Sequence, residues 1–232
     1  MIHPPSIQQL RDQLARMAGP GRRSAAAAIP VGVAEIDSQL PGCGLLRGGI
    51  HDVVGDLPAI TGFLAALLGR QKAINRLPST PILWVTPYAD LFAPGLSQLG
   101  FDHKRLIVAQ ARRDDDRLWA AEEGLRESGI GAVVAEVEDA DLTETKRLQL
   151  AAEASSNIGF LIRRRRQTSA ALTRWLIEPA RSKDCRAAWQ VTLERCRGAE
   201  AGGSWILRWD DASLSFRLVA ALAHRPAESA AA

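Results

Sequence analysis

The chain has 232 residues, of which 47% are hydrophobic and 24% charged, with a formal net charge of +3. That length supports one sizeable core, the composition is ordinary for a globular protein, and so small a charge does not by itself argue for nucleic acid. No stretch of about 18 uninterrupted apolar residues is present, which argues against a membrane span. The opening "MIHPPSIQQLRDQL" has no apolar signal core, so a cytoplasmic chain is expected. Cys43, Cys185 and Cys196 are an odd number without a CxxC pair. They read as reduced thiols, not as a disulfide or zinc framework.

Residues 6–17, "SIQQLRDQLARM", place Ile7, Leu10, Leu14 and Met17 on one helical stripe, with Ser6 as N-cap after Pro4 and Pro5. A helix this short is marginal alone in water, so it needs a surface on its own core or on another chain. The small-residue stretch 18–28, "AGPGRRSAAAA", reads as a linker. Residues 1–28 therefore form an N-terminal helix and linker apart from the main domain.

From Ile29 strand-like and helix-like runs alternate. Strands are expected at Ile50–Val54, Ile82–Thr86, Leu106–Ala109, Ala132–Val137 and Gly159–Ile162. These are short apolar runs without polar alternation, as in a parallel sheet buried on both faces. Helices are expected over 62–75, 90–99, 115–127 and 142–156. The first would pack Leu64, Leu67 and Leu68 on the sheet. The third would bury Leu118, Ala121 and Leu125, with Asp114, Asp115 and Asp116 complementing its dipole rather than holding a metal. Asp141 and Glu144 form a capping box for the last.

After residue 170 the pattern changes. "AAWQVTLERC" alternates apolar and polar, and "GGSWILRWDDASLSFRLVA" reads as two strands around a turn at Asp210 and Asp211. The fold class is therefore α/β, a mainly parallel sheet flanked by helices with antiparallel strands at the C-terminal end. Residues 223–232 read as a disordered tail.

The segment "IPVGVAEIDSQLPGCGLLRGGIHDVVG", with Gly32, Asp37, Gly44, Leu45 and Gly48 in order, resembles the head of a RecA-like core. "LFAPGLSQLGFDHKRLIV", "LWAAEEGLRE", "VVAEVEDADLTETKRLQLAAEAS" and "TRWLIEPA" narrow the resemblance to the ImuA family over roughly residues 29–209. The resemblance implies a RecA-like domain over 29–222. It also implies a role in damage-induced mutagenesis beside ImuB, a Y-family polymerase relative, and an error-prone C-family polymerase. A RecA recombinase is a further implied partner. In RecA-like filaments an N-terminal helix docks on the neighbouring subunit, so a homo-oligomer through Ile7, Leu10, Leu14 and Met17 is a further expectation.

In RecA-like proteins the head leads into a phosphate loop, Gly, four residues, then Gly-Lys-Ser/Thr. Its backbone N–H groups wrap the phosphates and its lysine reaches them. Here Gly55 is followed by Ile60, Thr61 and Gly62 in the three discriminating positions. A β-branched Ile60 does not readily take a positive φ, and Thr61 cannot supply a cation to phosphoryl transfer. The carboxylate expected after the second core strand is missing from "ILWVTPYAD", where Asp90 comes late. Glu136 matches a later metal-orienting position but reads more simply as a strand-end charge. The expected chain is not an enzyme and needs no cofactor.

Arg163, Arg164, Arg165 and Arg166 follow the apolar "GFLI", where RecA-like proteins carry a DNA-facing loop. An exposed loop is expected. Its alternatives are weak, salt-dependent DNA contact, an acidic protein partner, or a solvated charge run. Trp189, Trp205 and Trp209 are either core or a partner-binding face. The four histidines show no ligand spacing. The favoured function is a non-enzymatic adaptor in SOS-induced error-prone translesion synthesis. A SulA-like cell-division inhibitor and a DNA-dependent RecA-like ATPase are the rivals.

Overall fold

The computed structural model describes residues 28–73, 80–182 and 186–222. The helix expected over 6–17, the linker residues 18–27 and the tail 223–232 lie outside the described residues.

Five parallel strands form where the apolar runs fall, each within one residue of expectation at either end. They are β3 (Gly49–Gly55), β4 (Ile82–Thr86), β5 (Leu106–Gln110), β6 (Ala132–Val137) and β7 (Ile158–Arg163). A further strand, β8 (Thr173–Pro179), was not expected; it pairs in parallel with β3. Then β9 (Ala188–Cys196), β10 (Ser204–Asp210) and β11 (Ser215–Leu222) continue the sheet as an antiparallel meander. Among the described residues this sheet has nine strands in the order β11-β10-β9-β8-β3-β7-β6-β4-β5. A separate small ladder pairs β1 (Ala28–Ile29) with β2 (Leu45–Leu46).

The helices are α1 (Ala34–Asp37), α2 (Leu57–Ala73), α3 (Ala93–Gln98), α4 (Asp114–Arg126) and α5 (Leu142–Ser155). α2 begins at Leu57 rather than at residue 62, and α3 is shorter than the expected 90–99. Asp141 and Glu144 form the capping box at the start of α5. The head of the domain is closed by Asp37, whose carboxylate accepts hydrogen bonds from the backbone N–H groups of Val31 and Gly32, both at 2.8 Å.

Two apolar clusters cover the two sides of the sheet. On the first side α2 and the segment around Val31, Ile36 and Leu45 pack against Val53, Phe160, Trp175 and Ile177. On the second side α4 and α5 pack against Ile50, Val133, Ala135 and Leu161, with Leu118, Ala121 and Leu125 inward as expected. α2 is enclosed along most of its length, with Leu64, Leu67 and Leu68 at 1% exposure or less. The antiparallel strands close over it with the rings of Trp189 and Phe216 on Phe63 and that of Trp209 on Phe216, at centroid separations from 5.1 to 6.0 Å. Trp189, Trp205 and Trp209 are thus core, at most 3% exposed, and present no partner-binding face.

Close approach to α2 is bought by one glycine. A methyl group on Gly69 would lie 2.6 Å from the backbone of Gly100. Alanine is intrinsically the better helix residue by about 0.5–1 kcal/mol, whereas overpacking costs about 1–3 kcal/mol. Gly69→Ala is therefore expected to lower the urea midpoint despite its gain in helix propensity. An unchanged or higher midpoint would show that the contact gives way easily.

Candidate functional site

In parallel α/β sheets ligands bind beyond the carboxyl ends of the strands. The junctions at those ends are therefore where chemistry is sought. The β3–α2 junction is a single residue long: β3 ends at Gly55, α2 starts at Leu57, and Asp56 alone lies between. Gly55 has φ +128°, and a Cβ there would sit 2.1 Å from the carbonyl oxygen of Ile177. That position takes glycine both for its conformation and for its closeness to β8. The next N–H, that of Asp56, donates to the same Ile177 oxygen at 3.1 Å.

Asp56 then caps the helix. Its Oδ1 accepts from the N–H of Ala59 at 2.9 Å, and its carbonyl accepts from Ile60 at 2.8 Å. Pro58 has no N–H to offer in the same turn. A phosphate bound at a helix N-terminus uses those free N–H groups and the positive end of the dipole. Here a carboxylate of the chain itself takes that place, and an incoming phosphate would meet its negative charge. The residues of this junction do not fit a nucleotide triphosphate.

The reason differs from the one drawn from sequence. Ile60 is not a strained loop residue. It lies inside α2 at 1% exposure and packs in the core. Thr61 and Gly62 follow it in the helix, half-buried, and a Cβ on Gly62 would lie 3.5 Å from the Trp189 ring. These residues are one helix turn or more past the junction, not in a loop at all.

One strand-end carboxylate lies along the same edge of the sheet. Glu136 on β6 accepts a hydrogen bond from the indole N–H of Trp84 at 3.1 Å. Burial pushes its carboxyl above the usual range; the Trp84 and Thr86 hydrogen bonds oppose that and nearby Asp90 adds to it. Glu136 is thus anchored to a buried indole. Among the described residues no group of three or more His, Cys, Asp or Glu is placed to hold a metal ion.

The arginine run divides. Arg163 is the last residue of β7 and is 2% exposed, so the expectation of four exposed arginines is corrected at this position. Its guanidinium reaches Asp52 Oδ2 at 3.4 Å and the carbonyl of Ala140 at 2.5 Å. Asp52, at 0% exposure on β3, also accepts from Arg174 at 2.9 Å and from the Ser169 hydroxyl at 3.2 Å. Burial of an unpaired carboxylate in the sheet would be costly, so the strand end turns its arginine inward.

Arg164, Arg165 and Arg166 are exposed on the connection that follows. Arg164 pairs with Glu138 at 3.3 Å and Arg166 with Glu194 at 2.9 Å, both arginines well exposed. Arg195 on β9 donates to the carbonyls of Ser169 and Ala171 at 3.1 and 2.8 Å, holding the far end of the same connection. The Asp52 cluster is the feature that the sequence reading missed; its signal was a charged residue, Asp52, inside the apolar run "IHDVVG".

Arg163→Ser leaves a buried carboxylate with one fewer partner and is expected to cost about 3–5 kcal/mol of stability. Changing Arg164, Arg165 and Arg166 together to Ser is expected to move the melting temperature little, because exposed pairs contribute little. Chemical denaturation of both variants checks this. Equal destabilisation by the two would contradict the division.

Comparison with protein-family models gives no match to this chain. Two curated relatives from Caulobacter vibrioides, one from strain NA1000 / CB15N and one from strain ATCC 19089 / CIP 103742 / CB 15, both bear the name Protein ImuA. Each is 38% identical over 228 residues, covering 88% of this chain and 93% of the relative. With that identity along nearly the whole of both proteins, the chain belongs to the ImuA family.

Proposed function

We propose that this chain is a non-enzymatic adaptor in SOS-induced error-prone translesion DNA synthesis, working beside an ImuB-like protein and an error-prone C-family polymerase. Family membership supports the pathway. The observation that carries the non-enzymatic reading is the one-residue β3–α2 junction, where Asp56 caps the helix in the place a phosphate would need.

In this reading a RecA-like domain serves as a docking scaffold in the cytoplasm. Its work is protein–protein contact, with a RecA recombinase as a further partner. Arg164, Arg165 and Arg166 supply an exposed cationic edge for an acidic partner surface or for weak contact with DNA phosphates. Arg163 is left out of that edge because it is committed to Asp52.

The test is pairwise. Purified chain is presented separately to an ImuB-like protein, a recombinase, the error-prone polymerase and a cell-division GTPase, without nucleotide. Retention of the ImuB-like protein is the expected result. Retention of the division GTPase alone would instead favour a SulA-like inhibitor. Binding that appears only on addition of ATP would contradict a nucleotide-free scaffold.

A further inference from the structure

Five of the six tryptophans are at most 4% exposed, whereas Trp119 on α4 is 64% exposed. It stands at a groove of about 310 Å³ between α4 and α5, where Leu118 and Leu148 form the floor but are themselves core, at 7% and 2% exposure. An indole so placed is the kind of side chain that anchors interfaces. At Asp115 and Glu144 the groove continues into a depression lined by Asp114, Asp115, Asp139, Asp141, Glu144 and Gln167. Its lining has five carboxylates and no cation; Asp114 and Asp115 are paired from outside it with Arg117 and Arg113, which leaves the carboxylates in excess. The surface therefore suits a segment that carries both an apolar stripe and positive charge.

Such a segment exists in the same chain. Residues 1–27 hold the stripe of Ile7, Leu10, Leu14 and Met17, together with Arg11, Arg16, Arg22 and Arg23 against a single acid, Asp12. Residue 28 begins β1, whose Ile29 packs on the first side of the sheet, and the groove lies on the second. Twenty-seven residues extend on the order of 90 Å, so the distance is no obstacle. A short helix binds weakly by itself. Tethered to its own domain, however, it sees the groove at an effective concentration of roughly millimolar, far above that of a second copy in dilute solution.

We infer that residues 1–27 cover the α4–α5 groove of their own chain. The apolar stripe lies against the exposed indole of Trp119, and the arginines meet the acidic depression.

Acrylamide quenching of tryptophan emission tests this in the full-length chain, because Trp119 dominates the accessible signal. Trp119→Phe identifies its component. In the wild type that component is expected to be shielded. In Leu10→Asp/Leu14→Asp, and more weakly in Arg11→Glu/Arg16→Glu, its quenching constant is expected to rise severalfold, with the melting curve of the domain retained. Shielding is expected to survive dilution. A Trp119 as accessible in the wild type as in the Leu10→Asp/Leu14→Asp chain overturns the inference. So does shielding that disappears on dilution, which would make a second copy the occupant.

Discussion

Asp52 is an acidic side chain at 0% exposure in the middle of a sheet, and much of the molecule is arranged around keeping it paired. It sits on β3, the strand that the chain must cross to join the parallel part to the rest. Arg163 comes to it from β7 on one side and Arg174 from β8 on the other. Ser169 reaches it from the connection between those strands. That connection has no helix to hold it down among residues 164–172. Its hold is polar: Ser169 to Asp52, Ala170 to the Thr145 hydroxyl, and the carbonyls of Ser169 and Ala171 to Arg195. Arg195 belongs to β9, so the same network fastens the first antiparallel strand. Such a cluster contributes less net stability than apolar packing of equal size would, because desolvation offsets the attraction. What it does supply is a specific geometry, since each arginine has one place where its charge is met.

The β3–α2 junction depends on that geometry. Because β8 is held beside β3, the Ile177 carbonyl comes close enough to Gly55 to exclude any side chain there and to take the Asp56 N–H. The chain then enters α2 at once, and Asp56 satisfies a first-turn donor. A phosphate-binding turn needs several backbone N–H groups pointing outward. Here they are consumed by the fold itself. The absence of a lysine thus matters less than the absence of an open turn between β3 and α2.

The apolar strand runs were legible because each is short, continuous and bounded by breaks, and their ends fell within a residue of the structure. The Asp141–Glu144 cap was equally readable, since its pattern is local. β8 was not. "TRWLIEP" alternates, but it follows β7 without an intervening helix, and Arg174 reads as an outward charge when it is in fact bound to Asp52. α2 starts at Leu57, five residues before the expected 62, because Asp56-Leu57-Pro58 carries an N-cap and an early proline where a phosphate loop would need an open turn. Arg163 was grouped with its three neighbours by composition, whereas strand parity and the buried Asp52 separate it from them. Pairing across 111 residues leaves no local signal. Trp119 went unnoticed among six tryptophans because exposure is set by the packing of α4 against α5, which sequence spacing did not rank.

In the proposed reading the chain works by contact rather than turnover. The β3–α2 junction is the point on which that view rests, and a melting experiment in Mg-ATP addresses it most directly. A ligand that binds only the folded state raises the melting temperature in proportion to the logarithm of its concentration over Kd. Melting curves of the purified chain at increasing Mg-ATP, up to millimolar, should superimpose. A melting temperature that climbs steadily with ATP would mean that the junction opens to accept phosphates, and would contradict a structural role for Asp56.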